Sequence, residues 1–144
     1  MTYFRKRDPN RPEKVDPKDV PISKEEALAI AEIADIWPGG LGEALVKCET
    51  TKRGYKKDPS FDIFNKSYVP GPDVLLCPVM KVKQMRGYPN DYGKHLSVWR
   101  SIRNAYAKVL GVDLKEAHDR YNDDLRNNPK AVSVVFRQYA HETQ

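Results

Sequence analysis

Four cations and an aromatic ring fall within six positions at Lys52-Arg53-Gly54-Tyr55-Lys56-Lys57, and Phe61, Phe64 and Tyr68 follow closely. Cations interleaved with rings suit a single-stranded nucleic acid, because ammonium and guanidinium groups neutralise phosphates while rings give bases a stacking surface. The same composition also describes a solvated loop whose rings turn inward as anchors, and sequence alone sets the two readings level. A second basic patch, Arg5-Lys6-Arg7 with Arg11, lies in the first 22 residues. Its charge also serves solubility. Together these nine positions are the candidate sites for nucleic acid or a protein partner.

Catalytic chemistry is harder to assemble. Cys48 and Cys77 could act as nucleophiles with His95, His118 or His141 as base, provided that thiol and imidazole come within hydrogen-bond reach. Neither cysteine sits in a signature context, and Cys77, between Val74-Leu75-Leu76 and Pro78, reads as core. The two thiols are 29 positions apart with no CxxC pair, which predicts reduced cysteines and no metal centre. Pro72-Asp73 followed by Lys81 resembles part of the PD-(D/E)xK nuclease pattern. Val79 occupies the place of the second carboxylate, so a divalent ion would have too few oxygen ligands. Gly39-Gly40-Leu41-Gly42 has neither the lysine nor the preceding strand of a phosphate loop. No cofactor, metal or catalytic set is assigned.

These residues need elements to position them. Pro9, Pro12, Pro17 and Pro21 punctuate a charged N-terminal arm, residues 1–22, with little to bury. At Ser23 the pattern changes. Ser23-x-x-Glu26 is a capping box, and Ala27, Leu28, Ile30, Ala31, Ile33, Ala34 and Trp37 form an apolar helical face that ends at Pro38-Gly39-Gly40. Residues 41–48 predict a shorter helix, and 49–72 a long ordered loop without periodicity. Residues 73–85 predict a short strand or hairpin, held to a sheet edge by Pro78 and carrying a lysine face of Lys81 and Lys83.

The C-terminal third predicts helices over 94–110, 114–126 and 129–141, with a strand as the lesser alternative for the β-branched run of the last. Asp113-x-x-Glu116 caps the second, and Asn128-Pro129 opens the third. Around Gly111 the residues Tyr106, Ala107, Leu110, Val112 and Ala117 resemble a helix-turn-helix. Arg120 stands where an aliphatic side chain should be buried, and Glu116, Asp119, Asp123 and Asp124 would face phosphates. An ordinary helical hairpin is the expectation. The fold class predicted is α+β, predominantly α-helical: a single helical domain over residues 23–144 with the arm before it. Its expected core is Trp37, Trp99, Ile102, Tyr106, Leu110, Tyr121, Leu125 and Phe136.

The net charge of +5 is uneven. Residues 25–46 have five acidic and no basic side chains, whereas 47–94 have ten basic and five acidic. The surplus therefore sits in the arm and the middle of the chain, away from the first helix. The longest apolar run, Val74 to Met80, is too short for a membrane span, and no secretory leader is visible. The expected location is the cytoplasm or a particle assembled there. The leading functional expectation is a non-enzymatic structural or accessory subunit of a larger assembly, of virion or ribonucleoprotein type. Arm and basic loop would bind neighbouring chains or nucleic acid, and a second copy of the chain is an admissible partner. A stand-alone DNA- or RNA-binding protein is the alternative, and a small enzyme with a cysteine nucleophile the third.

Overall fold

In the computed structural model, which describes residues 18–143, helix α1 spans Lys24–Ile36 and begins where its cap dictates. The Glu26 amide donates to Ser23 Oγ at 3.1 Å, and the Ser23 amide donates to Glu26 Oε1 at 2.9 Å. Ala27, Ile30, Ala31 and Ala34, spaced by three and four, form a buried face against the last helix, α5 (Pro129–Glu142). That helix contains a β-branched run but is helical, because Pro129 pre-sets its first turn and Val132, Val135, Phe136, Tyr139 and Ala140 all reach the core from one side.

Between them lie α2 (Pro78–Met85), α3 (Tyr92–Leu110) and α4 (Leu114–Asn127). Helix α3 ends at Gly111, whose φ of 67° is left-handed and free of strain only for glycine, and whose amide donates to the Ala107 carbonyl. The Asp113 carboxylate caps α4 by accepting from the Glu116 amide at 2.8 Å. Tyr106 on α3 meets Tyr121 on α4 edge-on at 5.6 Å and Phe136 on α5 at 5.9 Å, and all three rings are buried. Each such side chain contributes about 2 kcal/mol through apolar burial. Of the expected core, Trp99 and Leu110 are only partly buried and pack against it; the others are inside. The domain is α+β and mostly helical.

Two expectations about the middle of the chain are corrected. Residues 41–48 are not a helix: Ala44–Lys47 is strand β1, the centre of an antiparallel sheet in which it pairs with β2 (Tyr55–Lys57) on one side and β3 (Leu75–Leu76) on the other. A short apolar run carries no decisive period, and here two partner strands were available to satisfy its amides. Residues 73–85 are not a lysine-faced strand. Only Leu75–Leu76 (β3) is extended, and Pro78 begins α2 instead of marking an edge. The Cys77 thiol caps that helix by accepting from the Met80 amide at 3.4 Å. The loop 49–72 also gains a short strand, β2 (Tyr55–Lys57).

The packed chain extends upstream of Ser23. Asp19 is buried and pairs with Arg100, Ser101 Oγ donates to the Val20 carbonyl at 2.6 Å, and Tyr139 Oη donates to the Ile22 carbonyl at 2.6 Å. Arg5, Lys6, Arg7 and Arg11 lie outside the described residues.

Candidate functional site: a basic hairpin

Of the predicted cations, Lys52, Arg53, Lys56 and Lys57 lie on one hairpin. Strands β1 and β2 pair in the register Leu45↔Lys57, Val46↔Lys56 and Lys47↔Tyr55. The ladder continues at both ends: the Cys48 amide donates to the Gly54 carbonyl at 2.8 Å and the Asp58 amide to the Ala44 carbonyl at 2.9 Å. Thr51 Oγ1 lies within bonding distance of the carbonyls of Cys48 and Tyr55, at 3.1 and 2.9 Å, and fastens the connecting turn. Strand alternation places Tyr55 and Lys57 on one face and Lys56 on the other.

Lys47, Lys52, Arg53, Lys56 and Lys57 are all exposed, and Glu49 is the one carboxylate between Lys47 and Lys57. Arg53 leans back over the Gly39-Gly40 turn, its Nη1 3.5 Å from the Gly39 carbonyl. A Cβ on Gly40 would stand 1.9 Å from that same nitrogen, so the absent side chain makes the seat for the guanidinium. The turn is tied to the body, since the Gly40 amide donates to the Arg126 carbonyl at 2.8 Å and Trp37 Nε1 to the Gly40 carbonyl at 3.0 Å.

The rings behave differently from the cations. Phe61 and Tyr68, 7% and 9% exposed, meet edge-on at 5.1 Å inside the core. Tyr68 Oη donates to Asp58 Oδ2 at 2.8 Å, and burial followed by that carboxylate raises the phenol well above its ordinary range. Lys57 Nζ sits 5.7 Å from the Phe61 centroid, so that ring supports a cation of the hairpin. Tyr55 is half-buried, and Phe64, 73% exposed, packs on Tyr92 at 5.8 Å. The hairpin therefore presents charge with at most one adjacent ring.

The thiols do not meet imidazoles among the described residues. Cys48 Sγ lies 3.1 Å from Thr50 Oγ1; the Thr50 hydroxyl and amide, then Lys56, hold its pKa below the usual thiol value. Burial pushes the Cys77 thiol up to about 12. His118 packs edge-on against Trp99 at 4.5 Å. No group of three metal-ligating side chains occurs among the described residues.

A second polar site was invisible to strand-based reading. Lys83 on α2 is 2% exposed, and its Nζ donates to Asn90 Oδ1 at 3.0 Å and lies 3.6 Å from Met80 Sδ. Asn90 Nδ2 donates in turn to the carbonyls of Asp62 and Asn65, both at 2.8 Å, so Asn90 fastens the 62–65 loop to α2. A cavity of about 110 Å³ adjoins Lys83, with Leu76, Met80 and Asn90 on its buried side and Pro70, Gln84 and Tyr88 at its more exposed side. The signal was present: Val79, Val82 and Lys83 fall at helical spacing behind a proline suited to a first turn. Arg86 was also missed. It pairs with Glu26 through two bonds of 2.8 and 3.0 Å.

No family model matches this chain. Neither does any curated protein or solved structure.

Proposed function

We propose that this protein is a non-enzymatic accessory subunit of a larger assembly, of virion or ribonucleoprotein type, whose β1–β2 hairpin lies along the phosphate backbone of a nucleic acid. The observation that carries this reading is the hairpin itself: five exposed cations on a hydrogen-bonded frame, against one carboxylate. With Phe61 and Tyr68 turned inward, the contact is with phosphates and not with stacked bases. Such a contact positions a strand without reading its sequence. Arg5, Lys6, Arg7 and Arg11 extend the same chemistry along the arm. Exposed Ile36 on α1 and Val134 on α5 offer the helical body apolar surface for neighbouring subunits.

The test is the salt dependence of binding to a single-stranded oligonucleotide, followed by fluorescence anisotropy. Each neutralised phosphate contributes about −0.7 to the slope of log affinity against log salt. Replacing Lys52, Arg53, Lys56 and Lys57 together with alanine removes four cations and should flatten the slope by about 3. The four side chains are exposed, so the variant should keep its melting temperature within a few degrees. An unchanged slope in the folded variant would remove the hairpin from the interface.

A further inference from the structure

We propose that the cavity beside Lys83 is a reactive-amine site that takes a short, uncharged aliphatic aldehyde and holds it as an imine on Lys83 Nζ. This site stands apart from the basic hairpin and does not depend on the nucleic-acid reading.

The argument begins with what surrounds the amine. Lys83 is among the most deeply buried large side chains of the domain, yet its bonding partners among the described residues are an amide oxygen and a thioether sulfur. Both are neutral, and sulfur is a weak acceptor. The charged or titratable groups that act on Nζ are Cys77 at the start of α2, Asp91 at the cap of α3 and Glu43 before β1. None forms an ion pair with it among the described residues. His95 on α3 is neutral in the ordinary range, its pKa lowered to about 4 by burial and then by Lys83, and its Nδ1 has no hydrogen-bond partner among the described residues. Desolvation outweighs the opposing influence of Asp91 and Glu43, with Cys77 a neutral thiol, and lowers the Lys83 pKa toward the free amine whose lone pair can attack.

The cavity then defines the ligand. At about 110 Å³ it has room for a molecule of a few heavy atoms. Its walls are largely apolar, with Tyr68, Pro70, Leu76 and Met80 contributing, and Asn90 has already committed both ends of its amide. Among the described residues that line it, Lys83 is the only cation, so a ligand carboxylate would find no second one. A neutral carbonyl compound with a short alkyl tail fits both the volume and the walls.

The step balances without an added reagent. The Nζ lone pair attacks the carbonyl carbon, a nitrogen–carbon bond forms, and the carbonyl oxygen departs as water with the two amine hydrogens. The product is a neutral imine. The imine nitrogen has no hydrogen, so the bond to Asn90 Oδ1 is given up, and the alkyl group lies against Leu76 and Met80.

The experiment treats the full chain with limiting propanal and sodium cyanoborohydride near neutral pH, which reduces any imine to a stable propyl-amine, and maps the modified peptides by mass spectrometry. Lys83 should be labelled before the exposed lysines, and the Lys83→Arg variant should lose that label. Gln84→Trp, a change at an exposed position beside the cavity, should block labelling of Lys83 while leaving that of surface lysines unchanged. Glyoxylate, which has a carboxylate, should label Lys83 less than propanal does. Modification confined to surface lysines would overturn the proposal, as would Lys83 labelling indifferent to Gln84→Trp.

Discussion

Replacing Glu26 with glutamine keeps the side chain's shape and removes its charge, leaving Arg86 without its counterion. The two side chains are each 9% exposed and meet through two parallel bonds, Nε to Oε2 at 2.8 Å and Nη2 to Oε1 at 3.0 Å. Arg86 Nη2 also lies 3.2 and 3.3 Å from the carbonyls of Val20 and Pro21, so the pair anchors the chain as it enters α1. Breaking one side of a buried pair costs about 3–5 kcal/mol, mostly because the other charge is stranded. Glutamine retains one acceptor for Arg86, which favours the lower end, about 3 kcal/mol. For a domain of this size that is a fall of roughly 10 °C in melting temperature.

The pH dependence sharpens the test. Burial raises the Glu26 pKa, but the bonds from Arg86 and from the Ser23 amide outweigh it, and the net value falls below the ordinary 4.5. The folded state thus holds the proton more weakly than the unfolded one. The stabilisation is complete above the unfolded value and disappears as pH drops through the folded value. Urea unfolding of the parent and Glu26→Gln should differ by about 3 kcal/mol at neutral pH, with the gap closing in acid. A double variant, Glu26→Gln with Arg86→Met, should recover part of the loss. A neutral-pH difference below about 0.5 kcal/mol would refute this account of the pair.

Two further perturbations probe the core and the hairpin seat. Tyr106, fully buried, donates its hydroxyl to Asp124, so Tyr106→Phe should cost about 1–3 kcal/mol by chemical denaturation; an unchanged midpoint would mean that the bond adds no net stability. Gly40→Ala introduces a side chain at φ 76° and drives a Cβ into Arg53, whereas Gly54→Ala at φ 74° meets no described residue within 4 Å. Both should lose about 1–2 kcal/mol from backbone strain, with an additional loss at Gly40 that vanishes when Arg53→Ala is added. Equal melting temperatures for the two glycine variants would show that Arg53 is not seated there.

The parts of the fold legible in the sequence are those decided within one turn of chain. Ser23 with Glu26, Asp113 with Glu116, Gly111 and Pro129 each satisfy or stop a helix through neighbours only a few positions away. The 41–48 segment required knowledge of remote partners, because Ala44 and Leu45 become a strand only when residues 55–57 and 75–76 lie alongside. Pro78 is compatible with an edge strand and with a helix start, and the Cys77 cap decides between them. That one ambiguity also hid Lys83, which an alternating pattern assigns to solvent and a helical one to the interior. At the candidate site the cations were legible, because charge forces them outward. Which way Phe61 and Tyr68 faced was not, since a ring near a lysine serves a core as readily as a ligand.

Helices α1 and α5 lie near opposite ends of the described chain, yet each covers the other's apolar face. During synthesis α1 leaves the ribosome long before its partner has been translated. Until residues 129–142 appear, the first helix has only α2 of its native helical neighbours, and Ile22 has no tyrosine hydroxyl at its carbonyl. A stalled or shortened translation product would leave the face that α5 covers exposed on the first helix, an aggregation-prone surface.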